Sequence, residues 1–198
     1  MPQNPISRRS LLQSLTAATV AGSPLRVISL EAAAYAHRLI EDETTANAGA
    51  YAPRFFSPHP YQTLCALCRD IIPADADSAG ALEAGAPQFI DLLTSENPDY
   101  QLKLGGGLMW LDSTSIDRFG KVYLECPPAQ QKQILDLIAY RKNLAQDKTL
   151  SQGIEFFSLL RGLTADGFFT SKIGIAYLGY IGNTYLLAFN GCPPVPGV

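Results

Sequence analysis

The chain has 198 residues, 47% of them hydrophobic and 17% charged. That is enough apolar material for one domain with a buried core and too much for a disordered chain. The formal net charge is −3, and the first 36 residues hold Arg8, Arg9, Arg26 and Glu31, so the rest of the chain is near −5. This balance argues against nucleic-acid binding, which rests on Lys/Arg contacts to phosphate.

Ser7-Arg8-Arg9-Ser10-Leu11-Leu12 opens an apolar stretch that runs to about Gly22. It looks like a twin-arginine export signal, with Arg8 and Arg9 as its hallmark. That route carries proteins across the bacterial inner membrane already folded, often with a cofactor bound, and places the mature chain in the periplasm. Pro24 and Arg26 interrupt the segment, which suits a cleavable signal better than an anchor. Ala34-Tyr35-Ala36 offers a small-x-small cleavage site, with Ala32-Ala33-Ala34 as its competitor. The expected signal is therefore residues 1–36. Residues 37–57, polar and alanine-rich with an acidic run Glu41-Asp42-Glu43, read as a solvated linker. The folded domain is expected at 58–198. Nothing after the signal approaches 18 continuous apolar residues, so no membrane span is expected in the mature chain.

Pro60 suits the first turn of a helix. Tyr61, Leu64, Cys65, Cys68, Ile71 and Ile72 then recur at spacings of three and four, and Pro73 ends the run. After a polar loop with Asp75 and Asp77, a second helix starts near Pro87 with Phe89, Ile90 and Leu93 inward. Asn97-Pro98-Asp99 begins a third, with Tyr100, Leu104, Leu108, Leu111 and Phe119 facing in. Gly105-Gly106-Gly107 interrupts it. Three glycines in a helix interior cost about 3 kcal/mol against alanine, so they imply a break or a close approach by another backbone. Pro127-Pro128 starts a fourth helix with Ile134, Leu135 and Ile138 inward. A fifth comes after Gln152-Gly153. Phe156, Phe157, Leu159, Leu160 and Leu163 make it apolar over much of its circumference, hence central or covered by a partner. The aromatic, glycine-rich end closes on Gly191-Cys192-Pro193-Pro194-Val195-Pro196-Gly197, which cannot be helical. The fold class is all-α: about five helices with an irregular Pro/Gly-rich C-terminal tail.

Chemistry-bearing patterns are sparse. Cys65-Ala66-Leu67-Cys68 has the spacing of half a zinc site or a redox pair. Zinc needs two further ligands at close spacing, and only His37 and His59 exist. A thioredoxin-like pair sits at a helix N-terminus after a strand, whereas this one lies mid-helix on the apolar face. Core packing or a structural disulfide is the better reading. In an oxidising compartment Cys65, Cys68, Cys126 and Cys192 are all candidates for disulfides, with three fully paired connectivities open. A bond involving Cys126 or Cys192 is expected, since both lie beside Pro-rich segments, with an intersubunit bond as the alternative for a thiol that lacks a partner in this chain. Asp75, Asp77 and Glu83 read as turn formers and caps. A Ser or Cys nucleophile lacks an activating base other than His59. No catalytic, cofactor-binding or metal residue is therefore assigned. The dense aromatics from Phe156 onward read as core or as anchors of an interface. Phe168, Phe169, Tyr177, Tyr180 and Tyr185 are the candidates for a partner-binding surface.

The block Phe156-Phe157-Ser158-Leu159-Leu160-Arg161-Gly162-Leu163-Thr164-Ala165-Asp166-Gly167-Phe168-Phe169-Thr170-Ser171, continued by Tyr177-Leu178-Gly179-Tyr180-Ile181-Gly182-Asn183, resembles the gluconate 2-dehydrogenase subunit 3 family. So does Ile71-Ile72-Pro73-Ala74-Asp75 with Gly85-Ala86-Pro87-Gln88-Phe89-Ile90-Asp91, and together these pieces span most of residues 57–192. The resemblance implies a small, non-catalytic subunit of a bacterial flavoprotein dehydrogenase. Its partner would be a large subunit of the glucose-methanol-choline class that carries FAD and oxidises a sugar, sugar acid or glycoside. The small subunit often supplies the export signal for both, and some complexes add a cytochrome c subunit. FAD is expected on the partner and not on this chain, because Gly105-Gly106-Gly107 lacks the strand–G-x-G-x-x-G–helix context of a dinucleotide site. The competing class is a stand-alone periplasmic enzyme or binding protein, against which the scarcity of His and clustered polar groups speaks.

Overall fold

The computed structural model describes residues 28–76 and 78–180. Arg8, Arg9, Asp77, Tyr185, Cys192 and the Pro/Gly-rich tail lie outside the described residues. The described chain is all-α, with no strand among its residues. Its helices are α1 (Leu30–Ala46), α2 (Pro58–Ile71), α3 (Ala86–Glu96), α4 (Gly106–Phe119), α5 (Pro128–Ile138), α6 (Ser151–Phe169) and α7 (Lys172–Tyr177). A turn at Pro98–Tyr100 and a π-helical segment at Gln101–Gly105 lead without a gap into α4.

Local chemistry sets the boundaries. Pro58 begins α2 behind an extended Ser57, and Ile72 ends it just before Pro73. Gly85, at φ 76°, turns the chain into Ala86-Pro87 at the head of α3. Asn97 caps the next turn, its side chain accepting from the amides of Asp99 and Tyr100. Gly120, at φ 73°, closes α4 with its amide on the Ile116 carbonyl.

The long helix α6 is central and packs against α2, α3, α4, α5 and α7. Buried on it are Ile154, Phe156, Phe157, Leu160, Leu163 and Phe168. All of these but Phe168 join Leu64, Leu67, Phe89, Ile90, Leu104, Leu108, Leu111, Ile134 and Ile138 in one core. Close approach accounts for the last glycine of the run. A Cβ on Gly107 would lie 2.1 Å from the Phe156 ring, so α4 meets α6 backbone to ring there. Gly153 on α6 returns the contact, facing Trp110, whose ring a Cβ there would meet at 2.4 Å. The helix is not broken at the three glycines.

Residues 37–57 are not a tether. Ala32, Ala33, Ala36 and Ile40 line one face of α1, at the i, i+3/i+4 spacing of a helix, and are buried. They pack against α3. Ser29 caps α1, its hydroxyl accepting from the Ala32 amide at 3.3 Å. The 36/37 boundary drawn from sequence therefore cuts a packed helix in half. The loop behind α1 is fixed by Asp91, which is fully buried on α3. Its carboxylate accepts from the Tyr51 hydroxyl (2.8 Å) and from the amides of Arg54 (2.6 Å), Phe55 (3.2 Å) and Phe56 (3.0 Å).

Candidate partner-binding surface

The corner between α6 and α7 is built by a short set of polar contacts. Ser171 donates its hydroxyl to the Phe168 carbonyl at 2.7 Å and accepts from the Gly174 amide at 3.0 Å. A Cβ on Gly174 would lie 2.1 Å from that carbonyl, so glycine alone lets the chain fold back this tightly. Thr170 donates to the Asp166 carbonyl at 2.6 Å. Its single proton is thus committed, and His37 on α1 donates from Nε2 to the Thr170 hydroxyl at 3.0 Å. The His37 ring also stacks on Phe89 at 5.0 Å between centroids. Burial lowers the His37 pKa below its ordinary 6.5, with the Glu41 carboxylate opposing. Glu41 pairs with Lys172 at 2.6 Å. The corner thereby rests on α1 as well as on α6.

This geometry sorts the predicted aromatics. Phe168 points inward and is buried, so it belongs to the core and is removed from the candidate surface. It is the internal anchor for two rings that are outside: Phe169, edge-on at 5.0 Å, and Tyr177, at 6.3 Å. Phe169 is 41% exposed, Tyr177 55%, Leu178 58% and Tyr180 49%. Four large apolar side chains within twelve positions thus face water. Beside them Ile71, Ile72, Pro73, Ala165, Phe169 and Tyr177 line a mainly apolar cleft of about 360 Å³. Arg161 lies at its edge and also borders a second cleft of about 410 Å³, where Arg141 and Lys142 add basic character. Lys142 reaches over the Tyr140 ring at 5.2 Å. Leu178 and the basic cleft were not read from the sequence. Leu178 could have been: it adjoins Tyr177 where the apolar spacing of α6 has ended.

The remaining candidates have structural partners. Asp75 accepts from the Ser78 amide at 2.8 Å and Glu83 from the Gly80 amide at 2.9 Å, so both shape the α2–α3 loop. His59 meets Asp112 at 2.7 Å, and the second oxygen of Asp112 accepts from the Tyr123 amide at 3.0 Å. That pair ties α2 to α4. No disulfide joins the cysteines among the described residues. Cys65, Cys68 and Cys126 are free thiols. Cys68 is wholly buried in the core. The Thr164 hydroxyl donates to the Leu160 carbonyl at 2.8 Å, so the Cys68 thiol is the donor in its 3.5 Å contact with Thr164. Burial pushes its pKa up to about 12. Cys65 is shifted up by burial too. Cys126 turns its thiol to the Lys121 carbonyl.

Among the described residues no group of three or more His, Cys, Asp or Glu side chains is placed to hold a metal ion. No described helix is long and apolar enough to cross a membrane. The Gly105-Gly106-Gly107 run is helical, and the close approach at Gly107 is taken by Phe156. What remains chemically distinctive is the corner where Phe169, Tyr177, Leu178 and Tyr180 are exposed beside an apolar cleft. No curated protein and no solved structure matches the chain. The family model described as Gluconate 2-dehydrogenase subunit 3 matches residues 58–187, from the first turn of α2 past the aromatic corner. The chain belongs to the gluconate 2-dehydrogenase subunit 3 family.

Proposed function

We propose that this chain is the non-catalytic small subunit of a periplasmic, FAD-dependent dehydrogenase of the glucose-methanol-choline class. The large subunit binds FAD and oxidises a sugar, sugar acid or glycoside. The small subunit stabilises it and carries the twin-arginine signal, at Arg8 and Arg9, that exports both. A cytochrome c subunit is a further partner in the same assembly. Family membership supports the place in a dehydrogenase complex. The observation that carries the contact site is the α6–α7 corner, where Phe169, Tyr177, Leu178 and Tyr180 stand in water beside an apolar cleft. Aromatic side chains clustered around a pocket are the usual anchors of a protein interface. A permanent contact of this kind buries more than about 2,000 Å² in total.

The test is co-purification of the co-expressed large subunit with full-length chain carrying Phe169→Asp and Tyr177→Asp. Both side chains are exposed, so the helical circular dichroism spectrum should be unchanged while affinity for the flavoprotein falls by roughly 700-fold, the loss of two interface anchors at ~2 kcal/mol each. Undiminished capture by the double variant would place the interface elsewhere. Replacing Arg8 and Arg9 with lysine should leave both subunits in the cytoplasm, and periplasmic flavoprotein in that strain would end the escort half of the proposal.

A further inference from the structure

The packing of α1 bears on where the exported chain is processed. Both small-x-small triplets nearest the fold, Ala32-Ala33-Ala34 and Ala34-Tyr35-Ala36, lie within α1. Ala33 is fully buried and Ala36 is 1% exposed. A peptidase takes its substrate as an extended, accessible strand, and proteolysis concentrates where backbone is exposed and mobile. The twin-arginine route delivers its cargo folded. A peptidase on the far side of the membrane would therefore meet these bonds already inside a packed helix. Cutting after Ala36 would also remove the Ser29 cap and three of the four buried side chains of α1, leaving Ile40. It would set a new positive ammonium at a helix N-terminus, where the backbone dipole opposes it. The remnant His37–Ala46 is too short to hold helical form without those contacts. With it would go the footing of His37 on Thr170 and of Glu41 on Lys172.

We infer that α1 is retained whole in the exported subunit, and that any cut falls on the N-terminal side of Ser29. The inference rests on the proposed export only for its peptidase; the packing of α1 stands without it.

The test uses the full chain, tagged at its C-terminus and co-expressed with the large subunit in a bacterium with a twin-arginine route. Intact mass and N-terminal peptide mapping of the periplasmic form should place its first residue at or before Ser29, an uncut chain included. A first residue after Ser29, and His37 above all, overturns the inference. If no subunit reaches the periplasm, the export reading fails, and hydrogen exchange on the full chain decides the inference. Amides from Ala33 to Glu43 should then exchange at least about 100-fold more slowly than an unfolded chain, as expected for a packed helix. Exchange at unfolded rates across this segment overturns it.

Discussion

Gly107→Ala is the substitution in which two opposite effects can be separated by their size. Alanine in a helix interior is favoured over glycine by about 1 kcal/mol. At Gly107 that gain meets a wall. The added methyl would stand 2.1 to 2.6 Å from three atoms of Phe156, at the root of a side chain that is itself buried in the core. The ring has no free space to swing into, so α4 and α6 must part. Overpacking of this kind costs about 1–3 kcal/mol and sometimes more. Contact with the Cβ and Cγ of Phe156, not its ring tip, puts this site at or beyond the upper end of that range. The net loss expected is about 2 kcal/mol, or a fall in Tm of roughly 4–8 °C for a domain of this size. The internal control is one residue away. At Gly106 the nearest atom to an added Cβ is the flexible Gln152 amide nitrogen at 3.6 Å, so Gly106→Ala keeps the helical gain and should raise Tm by a few degrees. Thermal unfolding followed by circular dichroism measures both. A Gly107→Ala protein as stable as wild type, or a Gly106→Ala protein equally damaged, would refute the backbone-to-ring contact.

Asp91→Ala should cost about 3–5 kcal/mol, because the Tyr51 hydroxyl and the amides of Arg54, Phe55 and Phe56 lose their common acceptor; denaturant unfolding measures it, and a loss under 1 kcal/mol would mean that the loop does not depend on this carboxylate. His37 gives a pH signature. Its pKa is lowered on folding, so between the folded value and 6.5 the unfolded chain binds more protons and stability falls as pH drops through that window. The slope of Tm between pH 7 and 5 should therefore be shallower in His37→Gln, and an unchanged slope would show that the folded ring is as easily protonated as the unfolded one. Cys68 should resist iodoacetamide at pH 8 in the native chain and react fully in denaturant, since burial both covers the thiol and holds it protonated; rapid native labelling would contradict its place in the core.

The helices that the sequence announces most clearly are those with chemical punctuation. Pro58 and Pro60, Asn97-Pro98 and Pro127-Pro128 mark starts, and α2, the turn before α4, and α5 begin there. The three glycines were readable as a break or a close approach, and only the facing position of Phe156 decides between them. The helix α1 was hidden for a different reason. Its inner face is mostly alanine, which contrasts weakly with its polar neighbours, and placing a boundary after Ala36 separated Ala32, Ala33 and Ala36 from Ile40. Asp91 did carry a signal that composition blurs: a carboxylate inside the run Phe89-Ile90-Asp91-Leu92-Leu93 must either face out or find donors inside. Phe168 and Phe169 could not be sorted at all from spacing. A helix that is apolar on nearly every side has no face to read, so which ring is buried depends on where the chain turns next, at Ser171 and Gly174.

That turn links the two ends of the described chain. The aromatic corner is held from within by Phe168 and from the side by α1, through His37 to Thr170 and Glu41 to Lys172. The ion pair is exposed, and by itself it contributes little. The His37 contact is different, because its ring is stacked on Phe89 and its donor is matched to a hydroxyl whose own proton is spent. Loosening α1 therefore costs packing at Ala33 and Ala36 and frees the segment that carries Phe169 and Tyr177. In an export escort this arrangement has a direct consequence. The helix next to the proposed signal is the same helix that braces the proposed partner surface, so a chain whose α1 has not docked presents a poorly ordered surface to the flavoprotein. On the proposed function, partner binding and readiness for export both draw on this one set of contacts. Weakening α1 from the inside, without touching any exposed aromatic, should accordingly weaken capture of the large subunit. Ala33→Gly is the mildest such change: it removes a buried methyl and costs helix propensity, about 1–2 kcal/mol together. Capture unaffected by Ala33→Gly, in a chain whose α1 amides exchange measurably faster than in wild type, would separate the two ends and leave α1 a purely structural element.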